Sequence, residues 1–161
     1  MPRPGVRLLG VTLGVVLAVG ATVVVFSLLH ARARAAAAPA AAVPANWRRP
    51  PVDADGLVRR SGVKLVRVAL SGAGGLVDLR YQVVDPGLAA SLHGTGTPPA
   101  LVDERSGLVL SRLLMDHAHS GQFKLAETYY LVFENPGSWV HRGSRVTVLL
   151  GDAQVEHVPV V

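Results

Sequence analysis

The sequence predicts an all-β domain, an antiparallel two-sheet sandwich, held behind one N-terminal transmembrane helix. Three observations carry this. Leu8–Leu29 runs for twenty-two residues without a charge, and a bilayer core needs roughly 20 apolar residues in a helix. From about residue 63 onward, short runs rich in Val, Leu and Tyr alternate apolar with polar side chains, the period of a half-buried strand. Gly, Pro, Asn and Asp separate those runs, as turn residues do between strands.

Residues 1–30 read as the anchor. Arg3 and Arg7 precede the apolar run, and Ala31, Ala33 and Ala35 offer small-x-small cleavage positions, so a cleaved secretory signal is the competing reading. The run exceeds the apolar stretch of such signals, about 7–15 residues, and favours an uncleaved helix. Arg32 and Arg34 on the far side balance Arg3 and Arg7, leaving the positive-inside rule without a decisive bias. The very short tail ahead of the helix favours a cytoplasmic N-terminus and a C-terminal domain outside the cytoplasm.

Residues 31–62 are dominated by Ala and Pro. Pro39, Pro44, Pro50 and Pro51 interrupt any helix, which predicts a semi-rigid tether. Trp47, among basic residues, belongs either at the bilayer interface or packed on the domain.

Residues 63–161 hold the strands. In "GLVDLRYQVV", Val77, Leu79, Tyr81 and Val83 alternate with Asp78, Arg80 and Gln82. The same period places Val66, Val68 and Leu70 on one face of "KLVRVAL", Tyr129, Leu131 and Phe133 on one face of "ETYYLVFE", and Val146, Val148 and Leu150 on one face of "SRVTVLL". "ALVD", "LVLSRLL" (Leu108 to Leu114) and "AQVEHVPV" complete a set of about seven strands. Asp85-Pro86-Gly87, Arg105-Ser106-Gly107, Asn135-Pro136-Gly137 and Gly151-Asp152 supply turns, and "PGLAASLHG" predicts one or two helical turns stopped by Gly94. Seven short strands at this spacing predict an immunoglobulin-like sandwich, with a small barrel as the alternative.

The segments "GLVDLRYQVVDP", "LVDERSG" and "YYLVFENPGSWVHRGSRVTVLLGD" together resemble a group of bacterial membrane-anchored β-sandwich proteins without an assigned activity. The resemblance spans about the last two-thirds of the chain. It implies an exported sandwich and carries no functional residues.

The formal charge of +5 with pI near 10.4 raises the question of nucleic acid. From Ser61 onward Lys and Arg total eight against nine Asp and Glu, so the basic excess lies before the domain, where it can meet anionic head groups. That placement argues against a nucleic-acid partner. The chain has no cysteine, which excludes thiol nucleophiles, iron–sulfur clusters and thiolate zinc sites.

The candidate site is "LLMDHAHSGQF". In an extended segment Met115, His117 and His119 share one side, and thioether plus imidazole donors suit copper, the thioether favouring Cu(I). His93 in "SLHG" is the first choice for a further ligand. The same residues also read as a solvated loop with no ligand. His141 and His157 are weaker candidates, and a partly buried His157 bonded to backbone is the expectation. Asp103, Glu104 and Glu127 adjoin turns or a strand start and read as solvated charges. A Ser-His-Asp triad from Ser111 or Ser120, His117 and Asp116 fails because neighbours in one loop cannot adopt its geometry. "SGAGG" lacks the following helix and Lys-Ser/Thr pair of a phosphate loop. The reading is therefore a non-enzymatic, membrane-anchored module that binds another envelope protein, with copper handling through Met115, His117, His119 and His93 as the alternative.

Overall fold

In the computed structural model residues 41–114 and 122–161 are described. The expected anchor, the first part of the tether, and Met115, His117 and His119 lie outside them. Among the described residues no helix is long and apolar enough to cross a membrane.

Among the described residues, seven strands form two antiparallel sheets. In chain order they are β1 (Val63–Ser71), β2 (Leu76–Val83), β3 (Ala100–Asp103), β4 (Val109–Leu110), β5 (Thr128–Glu134), β6 (Arg145–Leu150) and β7 (Ala153–Pro159). One sheet has the order β1-β2-β5 and the other β4-β3-β6-β7, so the chain forms a β-sandwich-like fold. Two short helices accompany them, α1 (Ala54–Ser61) and α2 (Pro86–Ala89).

The alternating residues of β2 behave as their period requires: Val77, Leu79, Tyr81 and Val83 are buried. Leu131 and Phe133 meet them from β5, and Val146, Val148 and Leu150 from β6, in one continuous core. β1 departs from the expected alternation. Its pairing with β2 shifts between Leu65 and Arg67, so Val66 is the extra residue of a bulge and points outward, 51% exposed.

The run Leu108 to Leu114 is not one strand of one sheet. β4 pairs with β3; Arg112 and Leu114 then bond to β5, Glu134 N–H donating to Arg112 O at 2.9 Å and Leu114 N–H to Val132 O at 2.9 Å. The chain end does the same on the other side, Leu70 N–H donating to Val161 O and Val161 N–H to Val68 O, each at 3.0 Å. Both edges of the three-stranded sheet thereby gain backbone partners, which protects edges that otherwise invite pairing with other chains.

Residues 41–62 are not the free second half of a tether. Ala100, Val102 and Leu149 point away from the main core yet are fully buried, because Val43 and Trp47 pack over them. Arg49 fixes this strap: its guanidinium donates to Gly151 O at 2.7 Å and to Pro98 O, and its N–H to Gln154 Oε1 at 3.0 Å. Burial lowers its pKa, an effect that Asp152 opposes. Val52 N–H bonds Gln154 O at 2.9 Å. The strap then enters α1, where Asp53 Oδ1 caps Gly56 N–H at 2.6 Å, Leu57 is fully buried, and Gly62 closes the helix at φ +64°. Trp47 therefore belongs to the domain, as does the Arg49 charge.

Candidate functional site

Of the four expected metal-site residues, only His93 is described. Asp85 starts the turn that delivers it, accepting bonds from Gly87 N–H at 2.9 Å and Leu88 N–H at 3.1 Å. The helix runs on as a 3-10 turn to His93. The imidazole is stacked on Phe123, with ring centroids 4.3 Å apart and planes 14° apart. Phe123 in turn meets Tyr129 edge-on at 5.0 Å and Tyr81 at 6.5 Å. Burial, then the neighbouring Tyr129, pushes the Tyr81 phenol up to about 12. His93 thus stands beside the residue at which the chain leaves the Met-x-His-x-His segment. Among the described residues, no three His, Asp or Glu side chains are grouped to hold a metal.

A second constellation was not legible in the sequence. Glu104, expected as a solvated charge, is 6% exposed. Its Oε1 accepts from Thr147 Oγ1 at 3.0 Å and from His157 N–H at 2.6 Å, while Oε2 faces His157 Nδ1 at 2.8 Å. Burial alone would raise its pKa, but the bonds from the His157 backbone and ring and from Thr147, with the charge of His157, outweigh it and hold the carboxyl below its ordinary range. His157 sits where β7 slips against β6 between Val146 and Val148, and its φ is +62°. That left-handed backbone aims both its N–H and its ring at Glu104. Its side chain is 58% exposed, so the ring is bonded to a carboxylate rather than buried against backbone. Asp103 is also buried, because its carboxylate caps the β3–β4 turn through Ser106 N–H at 3.1 Å and Ser106 Oγ at 2.5 Å. The arrangement orients an imidazole and pins β7 to β3 and β6. Among the described residues, no hydroxyl bonds the remaining ring nitrogen to complete a nucleophilic set.

The third feature is the outer face of the three-stranded sheet. The strap covers the equivalent face of the other sheet. Here Val66, Tyr130 and Leu114 are 51%, 43% and 53% exposed. Register aligns Arg67, Arg80 and Tyr130 in one row across β1, β2 and β5, and Ala69, Asp78 and Val132 in the next. Arg80 bonds Asp78 Oδ2 through Nε and Nη2, each at 3.0 Å, and Arg112 pairs with Glu134 at 3.3 Å. Asp78 is only 9% exposed, and its Oδ1 accepts no hydrogen bond among the described residues.

No family model, curated protein or solved structure matches the chain.

Proposed function

We propose that the chain is a single-pass membrane protein whose sandwich stands outside the cytoplasm and binds another envelope protein through the outer face of β1-β2-β5, without catalysis. One observation carries the reading: the two outer faces differ. The face of β3 and β6 is closed by Val43 and Trp47, whereas the other displays Val66, Tyr130 and Leu114 beside arginines. Tyr and Arg are enriched where proteins bind one another. The apolar run Leu8–Leu29 supports the anchor, and the resemblance to membrane-anchored sandwich proteins supports the export. The strand orders β1-β2-β5 and β4-β3-β6-β7 support an immunoglobulin-like arrangement, in which the third, sixth and seventh strands share a sheet opposite the first, second and fifth.

The test is a photo-crosslinking amino acid placed singly at Val66, Leu114 and Val102 in intact cells. A discrete adduct from Val66 and Leu114, and none from the covered Val102, is the expected result. Adducts from none of the three positions would overturn the reading.

Copper handling is the second reading. The contact of His93 with Phe123 favours it, since it places an imidazole at the exit of the segment that carries Met115, His117 and His119.

A further inference from the structure

We infer that the end of the sandwich built from the β3–β4 turn and the β5–β6 loop rests on anionic lipid head groups of the bilayer that anchors the chain, through Arg105, Arg142, Arg145 and Trp139. This rests on the reading of Leu8–Leu29 as an anchor and adds which end of the domain meets the membrane.

Backbone bonds gather these residues at one end. Glu104 N–H donates to Arg145 O at 3.1 Å, Gly143 N–H to Val160 O at 2.8 Å, and Asn135 N–H to Gly75 O at 2.8 Å, so the turn after β3, the loop before β6 and the loop after β1 are neighbours. The strap enters the domain at the same place. Ala41 N–H donates to Glu104 O, and Ala41 lies against Gly107 in the same turn. From Leu29, the last residue of the apolar run, to Ala41 the chain reaches at most about 40 Å even when fully extended.

Arg105, Arg142 and Arg145 are exposed, and among the described residues none of them pairs with a carboxylate. The acids close by are engaged: Asp103 holds Ser106, Glu104 holds Thr147 and His157, and Glu134 faces Arg112. Asp85, Glu127 and Asp152 adjoin strand ends on the opposite side of the sandwich, so the positive end is the one the tether enters. Trp139 stands beside the arginines. Asn135 Oδ1 accepts from Val140 N–H at 3.0 Å and Val140 is buried, which leaves the neighbouring indole 37% exposed. Gly137, at φ +63°, gives it room, since a methyl there would lie 3.2 Å from Nε1. Indole rings are enriched at head-group level, where the ring meets an apolar layer and the N–H an acceptor.

Arginines alone suit any anion. The tether selects among them, because it holds this end within about 40 Å of the bilayer, where lipid is present at an effective concentration that a dissolved partner does not match. The exposed indole selects again, since it gains from an apolar layer that phosphate or carboxylate groups in solution lack. A second copy would set the three arginines against their own kind.

Trp47 and Trp139 are the two tryptophans, so the full-length Trp47→Phe chain reports on Trp139 alone. It is reconstituted in vesicles whose lipids carry bromine high in the acyl chain, a quencher of indole fluorescence. Trp139 should be quenched in phosphatidylglycerol vesicles and not in phosphatidylcholine vesicles, and about 1 M salt, where the Debye length is about 3 Å, should relieve the quenching. Arg105→Gln/Arg142→Gln/Arg145→Gln should abolish it, and Lys at the same three positions should keep it, which separates loss of charge from loss of fold. Equal quenching in both lipids, or none in phosphatidylglycerol, would overturn the inference; a chain that nevertheless stays in the vesicles through a carbonate wash leaves the anchor reading intact. A chain that the wash removes from both kinds of vesicle overturns both. An acidic peptide or an oligonucleotide captured through the three arginines, with Trp139 unquenched in phosphatidylglycerol, would overturn the inference in favour of a soluble partner.

Discussion

Replacing Glu104 by Ala tests whether the buried carboxylate pins β7 in place. Glu104 accepts from Thr147 Oγ1 at 3.0 Å and His157 N–H at 2.6 Å and faces His157 Nδ1 at 2.8 Å. Hydrogen bonds to a charged group contribute about 1.5–3 kcal/mol each. The ring contact is discounted, because the His157 side chain is 58% exposed and water replaces it. The two remaining bonds, together with the donors they strand, place the loss at about 3–5 kcal/mol, the range for breaking a buried pair from one side. The assay is urea unfolding of the full-length chain in nanodiscs, followed by the fluorescence of Trp47 and Trp139. With a slope of about 2 kcal/mol/M, the midpoint should fall by about 2 M. The pH dependence has a definite sign. Because the folded pKa of Glu104 is lowered, its contribution is fully present above the unfolded glutamate value, about 4.3, and is lost as pH falls through the folded one. The gap between the natural chain and Glu104→Gln should therefore shrink in acid. A loss below about 1 kcal/mol for Glu104→Ala, or a gap that does not change with pH, would refute the reasoning.

Trp47→Ala should cost about 1–3 kcal/mol, since the indole is partly buried on Val43, Ala100, Val102 and Leu149, and hydrogen exchange should rise first at residues 41–49. Unchanged exchange there would mean that the strap is held by Arg49 alone. Gly62→Ala should destabilise by more than about 1 kcal/mol, because φ is +64° and the new methyl would overlap Asp85 O; chemical denaturation measures it. In the copper reading the chain should bind about one Cu(I), weakening as pH falls through about 6.5, and His117→Ala/His119→Ala should abolish binding. His93→Ala should weaken it without unfolding the domain, because His93 is exposed. Equal titrations of the natural chain and the double variant would remove copper from consideration.

Strands were legible wherever only one face of a sheet is buried. Val77, Leu79, Tyr81 and Val83 showed β2, and Tyr129, Leu131 and Phe133 showed β5, because alternation records one wet face. The strap was not legible for the converse reason. "ALV" in β3 and the closing "LL" of β6 break the alternation, which marks strands buried on both faces, but a linear pattern does not name the cover. That cover came from residues 41–49, whose Ala and Pro content reads as a linker. Val66 was misplaced because a bulge shifts the period by one residue without changing the composition. The Glu104–His157 pair joins residues 53 apart through a left-handed histidine, and neither the pairing nor that backbone has a local sequence signal. Asp78 belongs by its period to the wet face of β2, yet it is only 9% exposed, and alternation carries no signal for that burial.

The absence of cysteine allows the most direct test of an anchored sandwich with its open face outside the cytoplasm. Single cysteines are introduced at Lys64, on the open face, and at Val102, beneath the strap, and intact spheroplasts are treated with a membrane-impermeant maleimide. Lys64→Cys should label without lysis while the protein stays in the membrane fraction, and Val102→Cys should label only after denaturation. Labelling of Lys64→Cys only after lysis would place the domain in the cytoplasm and contradict the account.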